Sequence, residues 1–318
     1  MAYQIGTASS PNDLLDQLRI FMVAQGWTQS YWAAEGTGMR LHLSKGGWYF
    51  NARSSPDASA VWATSYVPQV PQLGFNLSTG LSTSNAWRDQ AGAVRDVGGV
   101  AIGSGIPLPS GAIQGYVFLY DPATDSLIAY IQTAVGLWRW FGFGLAMIQQ
   151  GTWSGGQWLA SCANYYYLSQ TSGPGQNNSL QSYPFGANRD YFGGPLVFVN
   201  LTGVDGYTGW LSAGGAAQTG KLGYTNVPGG AVPSTMCSGL QNILDRAGNT
   251  LNSLDVLLPI QIFSTLVAGG VVLLGRLPNV YATNPSGLVA GQAYALGTDF
   301  YVTFPSYTAT RGTAVKKV

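Results

Sequence analysis

A mainly β fold, built from antiparallel sheets packed as a sandwich or closed as a barrel, is predicted by three features of the sequence. Short alternating or aromatic segments are separated by turns rich in glycine, of which the 318-residue chain has 44. A strong hairpin pattern lies near the middle, and only one segment has clear helical periodicity. Because the strands follow one another with few helices between them, a parallel α/β sheet is not expected.

The N-terminal helix is the element that the sequence defines best. Ser10 offers an N-cap hydroxyl, Pro11 suits the first helical position, and Asp13 places a carboxylate in the first turn. A single apolar stripe follows, and Gly26 ends the helix. The stripe consists of Leu14, Leu15, Leu18, Phe21 and Met22. Because so short a helix is marginal alone, we expect the stripe to pack on the protein's own sheet rather than in a partner's groove.

Strands are predicted on both sides of a central hairpin, formed by residues 116–120 and 127–131. The connection contains Asp121 and Asp125, which we interpret as turn formers rather than calcium ligands because no EF-hand spacing surrounds them. Further strands are predicted at 27–32, 40–44, 48–53, 157–163, 165–168, 196–201, 271–274 and 300–304. A second, weaker helix is predicted at 238–246.

These elements predict one compound domain made of five segments. They are a helix with strands (1–53), a loop-rich excursion (54–112), a β-hairpin core (113–168), a loop-rich insertion with strands (169–236) and a C-terminal helix and strand segment that completes the core (237–318). Long Gly/Pro-rich loops are predicted in 54–112 and 169–195, because turn formers crowd both ranges. We expect such loops to become ordered against neighbouring chains; mobile surface loops are the alternative.

Charge is scarce in this chain. Ionisable side chains make up 8% of the residues, 14 basic and 13 acidic, against roughly 25% in an average soluble protein. A folded chain of this mass exposes roughly 12,000–13,000 Å², which leaves about one charge per 450–500 Å². Soluble monomers carry more charge than this. The composition therefore favours a subunit whose surface is covered by neighbours.

The same composition disfavours several classes of function. A net charge of +1 provides no electrostatic footprint for nucleic acid. His42 is the only histidine, and its alternating strand context predicts a surface or hydrogen-bonded residue rather than a catalytic base. No nucleophile elbow, HExxH motif or phosphate-binding loop is present, so neither an enzyme nor a cofactor is predicted. A glycosidase with paired aspartates stays open, because two carboxylates need only meet in space.

Cysteine use and the N-terminus bear on location. Cys162 and Cys237 form no CxxC pair, and buried free thiols are favoured over a disulfide. The first residues lack the basic and apolar regions of an export signal. The most apolar run, 260–274, is too short and too polar to cross a bilayer. We therefore expect assembly in the cytoplasm, without membrane insertion and with reduced thiols.

Aromatic residues are abundant, with 10 Trp, 18 Tyr and 12 Phe. Exposed rings of this kind bind sugars or anchor protein interfaces, whereas buried rings form the core of a glycine-rich β fold. We favour a core or subunit-interface role over glycan binding. The candidate interface aromatics are Trp138, Trp140, Tyr165, Tyr166 and Tyr167.

Three stretches of the chain resemble virion structural proteins of tailed bacteriophages, of the tail or baseplate type. The first is a short helix from Asp13 that leads into Gly26-Trp27. The second, 137–158, joins an FG-ended strand to a GxWxGG turn. The third contains 277–281 and 297–305, with a YxxF strand near the C-terminus. The stretches lie in order over most of the chain, whereas 54–112 and 169–195 match no known pattern.

The resemblance implies a virion subunit that acts through oligomeric contacts with copies of itself and with other virion proteins, assembled in the host cytoplasm. It implies no catalytic residue. The alternatives are a receptor- or glycan-binding module that contacts a host surface glycan, a head-surface, decoration or neck protein, and a depolymerising enzyme attached to the virion.

Overall fold

The computed structural model describes residues 1–57, 71–94, 104–161, 163–164, 196–204, 206–213, 222–224, 257–265, 271–283, 289–305 and 312–317. Within these residues the fold is mainly β, with twenty strands and one α-helix, as the sequence predicts.

The elements follow one another along the chain in this order: β1 (Ala2–Ala8), α1 (Pro11–Ala24), β2 (Thr28–Glu35), β3 (Gly38–Lys45), β4 (Trp48–Ser55), β5 (Gln72–Ser78), β6 (Ser104–Pro107), β7 (Ile113–Asp121), β8 (Ser126–Ala134), β9 (Leu137–Gly144), β10 (Ile148–Gln149), β11 (Ser154–Ser161), β12 (Ala163–Asn164), β13 (Leu196–Val204), β14 (Tyr207–Ala213), β15 (Leu222–Tyr224), β16 (Leu257–Thr265), β17 (Val271–Thr283), β18 (Gln292–Leu296), β19 (Asp299–Pro305) and β20 (Gly312–Lys316).

The strands form three antiparallel sheets. The central sheet has the order β1-β7-β8-β9-β11-β13-β14. The N-terminal sheet has the order β12-β6-β5-β4-β3-β2. The C-terminal sheet has the order β15-β16-β17-β20-β19-β18, and β10 pairs with β17 beside it. The predicted hairpin is confirmed as β7 and β8, joined by the turn that holds Asp121 and Asp125.

One face of the central sheet packs against the N-terminal sheet through stacked aromatic rings. Phe143 lies on Phe50 with 4.2 Å between ring centroids, and Phe141 lies on Phe75 at 4.5 Å. Pairs of this kind contribute beyond the apolar area they bury. Strand alternation directs these rings away from the neighbouring residues of β9, which face the opposite side.

The opposite face of the central sheet packs against the C-terminal sheet. Tyr130 stacks on Phe304 at 3.6 Å, and its hydroxyl hydrogen-bonds to the Thr313 hydroxyl at 2.6 Å. The indole N–H of Trp153 donates to the carbonyl of Leu274 at 3.0 Å. The protein is therefore a sandwich of three sheets. Since β7 and β8 are covered on both faces, every residue of β7 except Gln114 is buried.

Helix α1 begins and ends as predicted. The side chain of Ser10 accepts from the backbone N–H of Asp13 at 3.2 Å, and Gly26 follows the helix with φ +83°. The whole predicted stripe is buried. Phe21 lies 5.6 Å from Phe118 of the central sheet, and the helix also contacts β3 and β4 of the N-terminal sheet. The expectation that it packs on the protein's own sheets is confirmed.

The range predicted as a loop-rich excursion, 54–112, contains two strands of the N-terminal sheet among its described residues. β5 is buried along its whole length and lies between β4 and β6. Its core-facing residues alternate as Leu73, Phe75 and Leu77, a period of two that the surrounding prolines and serines masked. The predicted strand at 165–168, the predicted helix at 238–246, the loop at 169–195, Cys162 and Cys237 lie outside the described residues.

Two glycines of β9 make room for a buried tryptophan. Trp158, on the neighbouring strand β11, lies over Gly142 and Gly144 and is fully buried. A Cβ at Gly142 would come within 2.6 Å of Ile128, and a Cβ at Gly144 would overlap Ser126 and the Trp158 indole. Neither glycine has a positive φ, so the requirement at these positions is space rather than backbone conformation.

Replacing Gly144 by alanine is expected to lower the free energy of unfolding by about 1–3 kcal/mol, because the added methyl overpacks the core against Trp158. Gly111→Ala is the matched control, since a Cβ there meets nothing within 4 Å. Its effect should stay within about 0.5 kcal/mol. Urea unfolding of the two variants measures the difference, and equal stabilities would contradict the packing described.

Candidate functional site

The candidate interface aromatics lie in different environments in the fold. Trp140 has an exposed fraction of 1% and lies in the core. The sequence left open whether this ring lies in the core or at a subunit interface. Because it lies in the core, it is not available to a second chain. Trp138 is half-buried, with its ring 5.3 Å from Phe304 in an edge-to-face arrangement. Tyr165, Tyr166 and Tyr167 lie outside the described residues.

A chain of buried polar side chains runs across the outer face of the N-terminal sheet. Arg40 Nε donates to His42 Nε2 at 2.7 Å, and His42 Nδ1 lies 2.5 Å from Asn51 Oδ1. Asn51 Nδ2 donates to Ser78 Oγ at 2.9 Å, and Ser78 Oγ donates to the carbonyl of Gly80 at 3.0 Å. We call Arg40, His42, Asn51 and Ser78 the polar relay. It crosses three adjacent strands, β3, β4 and β5.

The relay determines the tautomer of His42. Because Nε2 accepts from a guanidinium, which has no acceptor of its own, the ring proton must be on Nδ1, where it donates to Asn51. Each side chain of the relay therefore donates to the next one, from Arg40 through His42 and Asn51 to Ser78. The pKa of His42 is lowered from its ordinary value of 6.5 to about 4. Burial is the largest cause, the bond to Asn51 opposes it, and the charge of Arg40 adds to the lowering.

The relay holds residues 79–94 against the sheet. Arg40 Nη1 and Nη2 donate to the carbonyls of Thr83 and Ser82 at 3.3 and 3.2 Å. Gln90, which is fully buried, bonds both the N–H and the carbonyl of Ser82, and the Asn76 amide accepts from the N–H of Val94. His42 is thus the hydrogen-bonded residue that the sequence predicts. With no exposed surface, it cannot reach a substrate.

A second polar cluster joins α1 to the turns of two hairpins. Lys45 Nζ contacts Asp125 Oδ1 at 2.6 Å, the Tyr120 hydroxyl at 3.0 Å and the carbonyl of Gln25 at 3.1 Å. The Tyr120 hydroxyl donates to Asp125 and accepts from the Trp27 indole at 3.2 Å. We call Lys45, Tyr120, Asp125 and Trp27 the Lys45 cluster.

The Lys45 cluster has the electrostatics of a structural contact. Burial and the bond to Asp125 raise the pKa of Tyr120. Burial opposes the charge of Lys45, but its bonds to Asp125 and Tyr120 prevail and raise its pKa as well. Nucleophilic or basic catalysis by either group would require a lowered pKa. The cluster therefore stabilises the junction without activating a reactive group.

The surface carries several large apolar side chains that the sequence did not single out. Outside helix α1, they include Val135 at 83%, Val289 at 61%, Ile5 at 56%, Phe300 at 48% and Leu296 at 40%. Valine, isoleucine, leucine and phenylalanine are normally predicted to lie in the core, so no sequence signal separates these residues from buried ones. Three of them, Val289, Leu296 and Phe300, lie in or beside the hairpin of β18 and β19.

Within the described residues, no group of three or more His, Cys, Asp or Glu side chains is placed to hold a metal ion. No helix in that part of the chain has the length and apolar character needed to cross a membrane.

No family model matches this chain, and no curated protein does.

The buried state of His42 predicts a loss of stability in mild acid. In the unfolded chain His42 takes up a proton near pH 6.5, whereas in the folded protein His42 stays neutral down to about pH 4. The contribution of neutral His42 to the free energy of unfolding is therefore complete above pH 6.5 and falls as the pH drops toward 4. Between pH 7 and pH 5 the free energy of unfolding should fall by about 2 kcal/mol.

His42→Gln should remove this part of the pH dependence, while carboxylates contribute equally to both proteins. Chemical denaturation at pH 7, 6 and 5 measures the two slopes. A variant that keeps the pH slope of the original protein would show that His42 is not the responsible group.

Tyr120→Phe is expected to lower the free energy of unfolding by about 1–3 kcal/mol, because the buried Trp27 indole loses its acceptor and Lys45 loses a partner. Tyr3→Phe is the matched control, since the Tyr3 hydroxyl has no hydrogen bond within the part of the chain that the structure describes. Thermal unfolding of both variants provides the comparison. Equal changes would indicate that the Lys45 cluster adds nothing to stability.

Proposed function

We propose that this chain is a structural subunit of a tailed bacteriophage particle, of the tail or baseplate, which acts through contacts with copies of itself and with other virion proteins. The observation that carries the proposal is a surface with few charges on which large apolar side chains remain exposed. Only 8% of the residues are charged, and Val289, Phe300 and Leu296 lie uncovered around one hairpin. Neighbouring subunits that cover such a surface would remove the apolar area from water.

The ion pairs of the described residues support this interpretation, because they neutralise much of what little charge the surface has. Lys45 pairs with Asp125, Arg19 pairs with Asp16 at 2.7 Å, and Lys316 pairs with Asp299 at 2.8 Å. Charge paired in this way contributes little net repulsion between identical chains. Close approach of many copies then meets little electrostatic resistance.

The aromatic residues contribute less to the proposal than their number suggests. Trp27, Trp87, Trp140 and Trp158 are all fully buried and serve the core. The contact surface is therefore expected to be aliphatic, with Phe300 as its exposed ring. A particle made in the host cytoplasm, as the resemblance implies, suits a subunit of this kind.

A receptor- or glycan-binding module of the virion is the second candidate, and partly exposed tryptophans favour it. Trp48 and Trp210 form an edge-to-face pair at 5.9 Å, and Trp138 is also half-buried. A glycan array separates the two proposals. Binding that Trp138→Ala or Trp48→Ala abolishes would favour the receptor module, whereas an array without hits favours the structural subunit. A head-surface, decoration or neck position remains a variant of the first proposal.

The structural proposal predicts association of the purified chain that rises with concentration. Sedimentation velocity from about 1 µM upward, followed by electron microscopy of negatively stained samples, should show dimers and larger assemblies or rings. Because the contacts are apolar, raising sodium chloride should not dissociate them, and sodium sulfate should strengthen them. A single monomeric species at millimolar concentration would contradict the proposal.

A further inference from the structure

The outer edge of β18 lacks the features by which proteins usually protect a sheet edge. Charged residues, proline and β-bulges are the common protections. Residues 289–298 contain no charge and no proline. The pairing of β18 with β19 runs without a bulge from Gln292 opposite Thr303 to Leu296 opposite Asp299. The charge of Asp299 is neutralised by Lys316, so it does not repel an approaching chain.

Two other edge strands show the protections that β18 lacks. The pairing of β1 is interrupted by a bulge between Gly6 and Ala8, and the Lys317 ammonium lies 4.1 Å from the Tyr3 ring. The pairing of β2 is interrupted by a bulge between Gln29 and Tyr31. The contrast singles out β18 among these three edges.

Solvent reaches both faces of β18. Gln292, Ala293, Ala295 and Leu296 are exposed, and Tyr294 is half-buried. Successive residues of a strand point to opposite faces, so exposure of consecutive residues means that neither face is covered. Uncovered apolar side chains, Val289 and Phe300, flank the strand. No second strand pairs with β18 within the residues that the structure describes, so the strand presents a backbone edge with exposed apolar side chains beside it.

We propose that β18 pairs in antiparallel fashion with β18 of a second copy of this chain, so that two C-terminal sheets join into one continuous sheet. This inference rests on the proposed function, for which it names one subunit interface. A two-fold axis perpendicular to the strands generates such a pair, and each strand then uses the same edge. The exposed backbone N–H and C=O groups of both copies find partners in this arrangement.

The sequence of β18, Gln-Ala-Tyr-Ala-Leu, is nearly palindromic and suits this pairing. With Tyr294 on the axis, Ala293 lies opposite Ala295 of the partner subunit, and Gln292 lies opposite the partner's Leu296. No like charges meet, and the small alanines allow the strands to approach closely. A second copy is therefore self-complementary to this edge.

The interface is small. Five residues at about 3.4 Å each give a contact about 17 Å long and one strand wide. The area that so narrow a strip buries is well below the roughly 800 Å² per partner of a stable complex. We expect a Kd of about 10 µM or weaker for the isolated pair. In a particle, repeated contacts and high effective concentration would compensate for this weakness.

Two double variants with substitutions at the same exposed positions test the register. In Ala293→Lys with Ala295→Lys, lysine opposes lysine across the axis, and the dimer should weaken about tenfold or more. In Ala293→Lys with Ala295→Glu, lysine opposes glutamate, and the Kd should stay within about threefold of the original. Sedimentation equilibrium at low salt measures all three proteins, with circular dichroism as the check on folding.

The outcomes separate this inference from the proposed function. If the original chain associates and both variants associate equally well, or weaken equally, the β18 pairing is wrong while the subunit proposal stands. If the original chain stays monomeric at every concentration, both proposals fail.

Disulfide trapping decides the matter independently of the charge variants. In Tyr294→Cys the two introduced cysteines face each other across the axis, with Cα atoms about 4.5–5.5 Å apart, which suits a disulfide. In Gln292→Cys they lie about 13 Å apart along the strands and cannot bridge. Oxidation should therefore give a covalent dimer only with Tyr294→Cys. Equal yields from the two variants would overturn the proposal.

Discussion

Burial of the central sheet on both faces is the constraint on which the rest of the structure depends. Phe141 and Phe143 fill the space toward the N-terminal sheet, while Tyr130 and Trp140 fill the space toward the C-terminal sheet. A sheet covered in this way can expose side chains only at its ends and edges. The polar relay lies accordingly on the outer face of the N-terminal sheet, and the Lys45 cluster lies at a junction between sheets.

Several of the few charged residues of the chain lie at these junctions. The Lys45 cluster joins α1 to the β3–β4 turn and to the β7–β8 turn. Asn279 donates to Asp121 at 2.8 Å and joins the β7–β8 turn to the C-terminal sheet. The polar relay plays a comparable role for residues 79–94. A buried polar group is stabilising only when its partners are in place, so each cluster also specifies how its segments are arranged.

The distribution of residue types between core and surface bears on function. Among the described residues, most of the large aromatic rings are buried in the core, and the exposed large apolar side chains are mainly aliphatic. Under the proposed function, neighbouring subunits would cover a surface of that kind. The C-terminal sheet is the layer where these features combine, because its last hairpin has an open edge and apolar flanks.

Local signals in the sequence determined the secondary structure near them. The Ser10-Pro11 start, the apolar stripe and Gly26 specified α1, and two β-rich runs around the Asp121–Ser126 turn specified the central hairpin, because capping, periodicity and turn chemistry act over a few residues. Tertiary structure alone decided which face of each strand meets which sheet. It buried Trp140, placed His42 in a relay beneath residues 79–94, made β5 an inner strand and left β18 open. The reason is that burial and hydrogen-bond partners depend on residues far apart in the chain, such as Tyr130 and Thr313, which no local pattern connects.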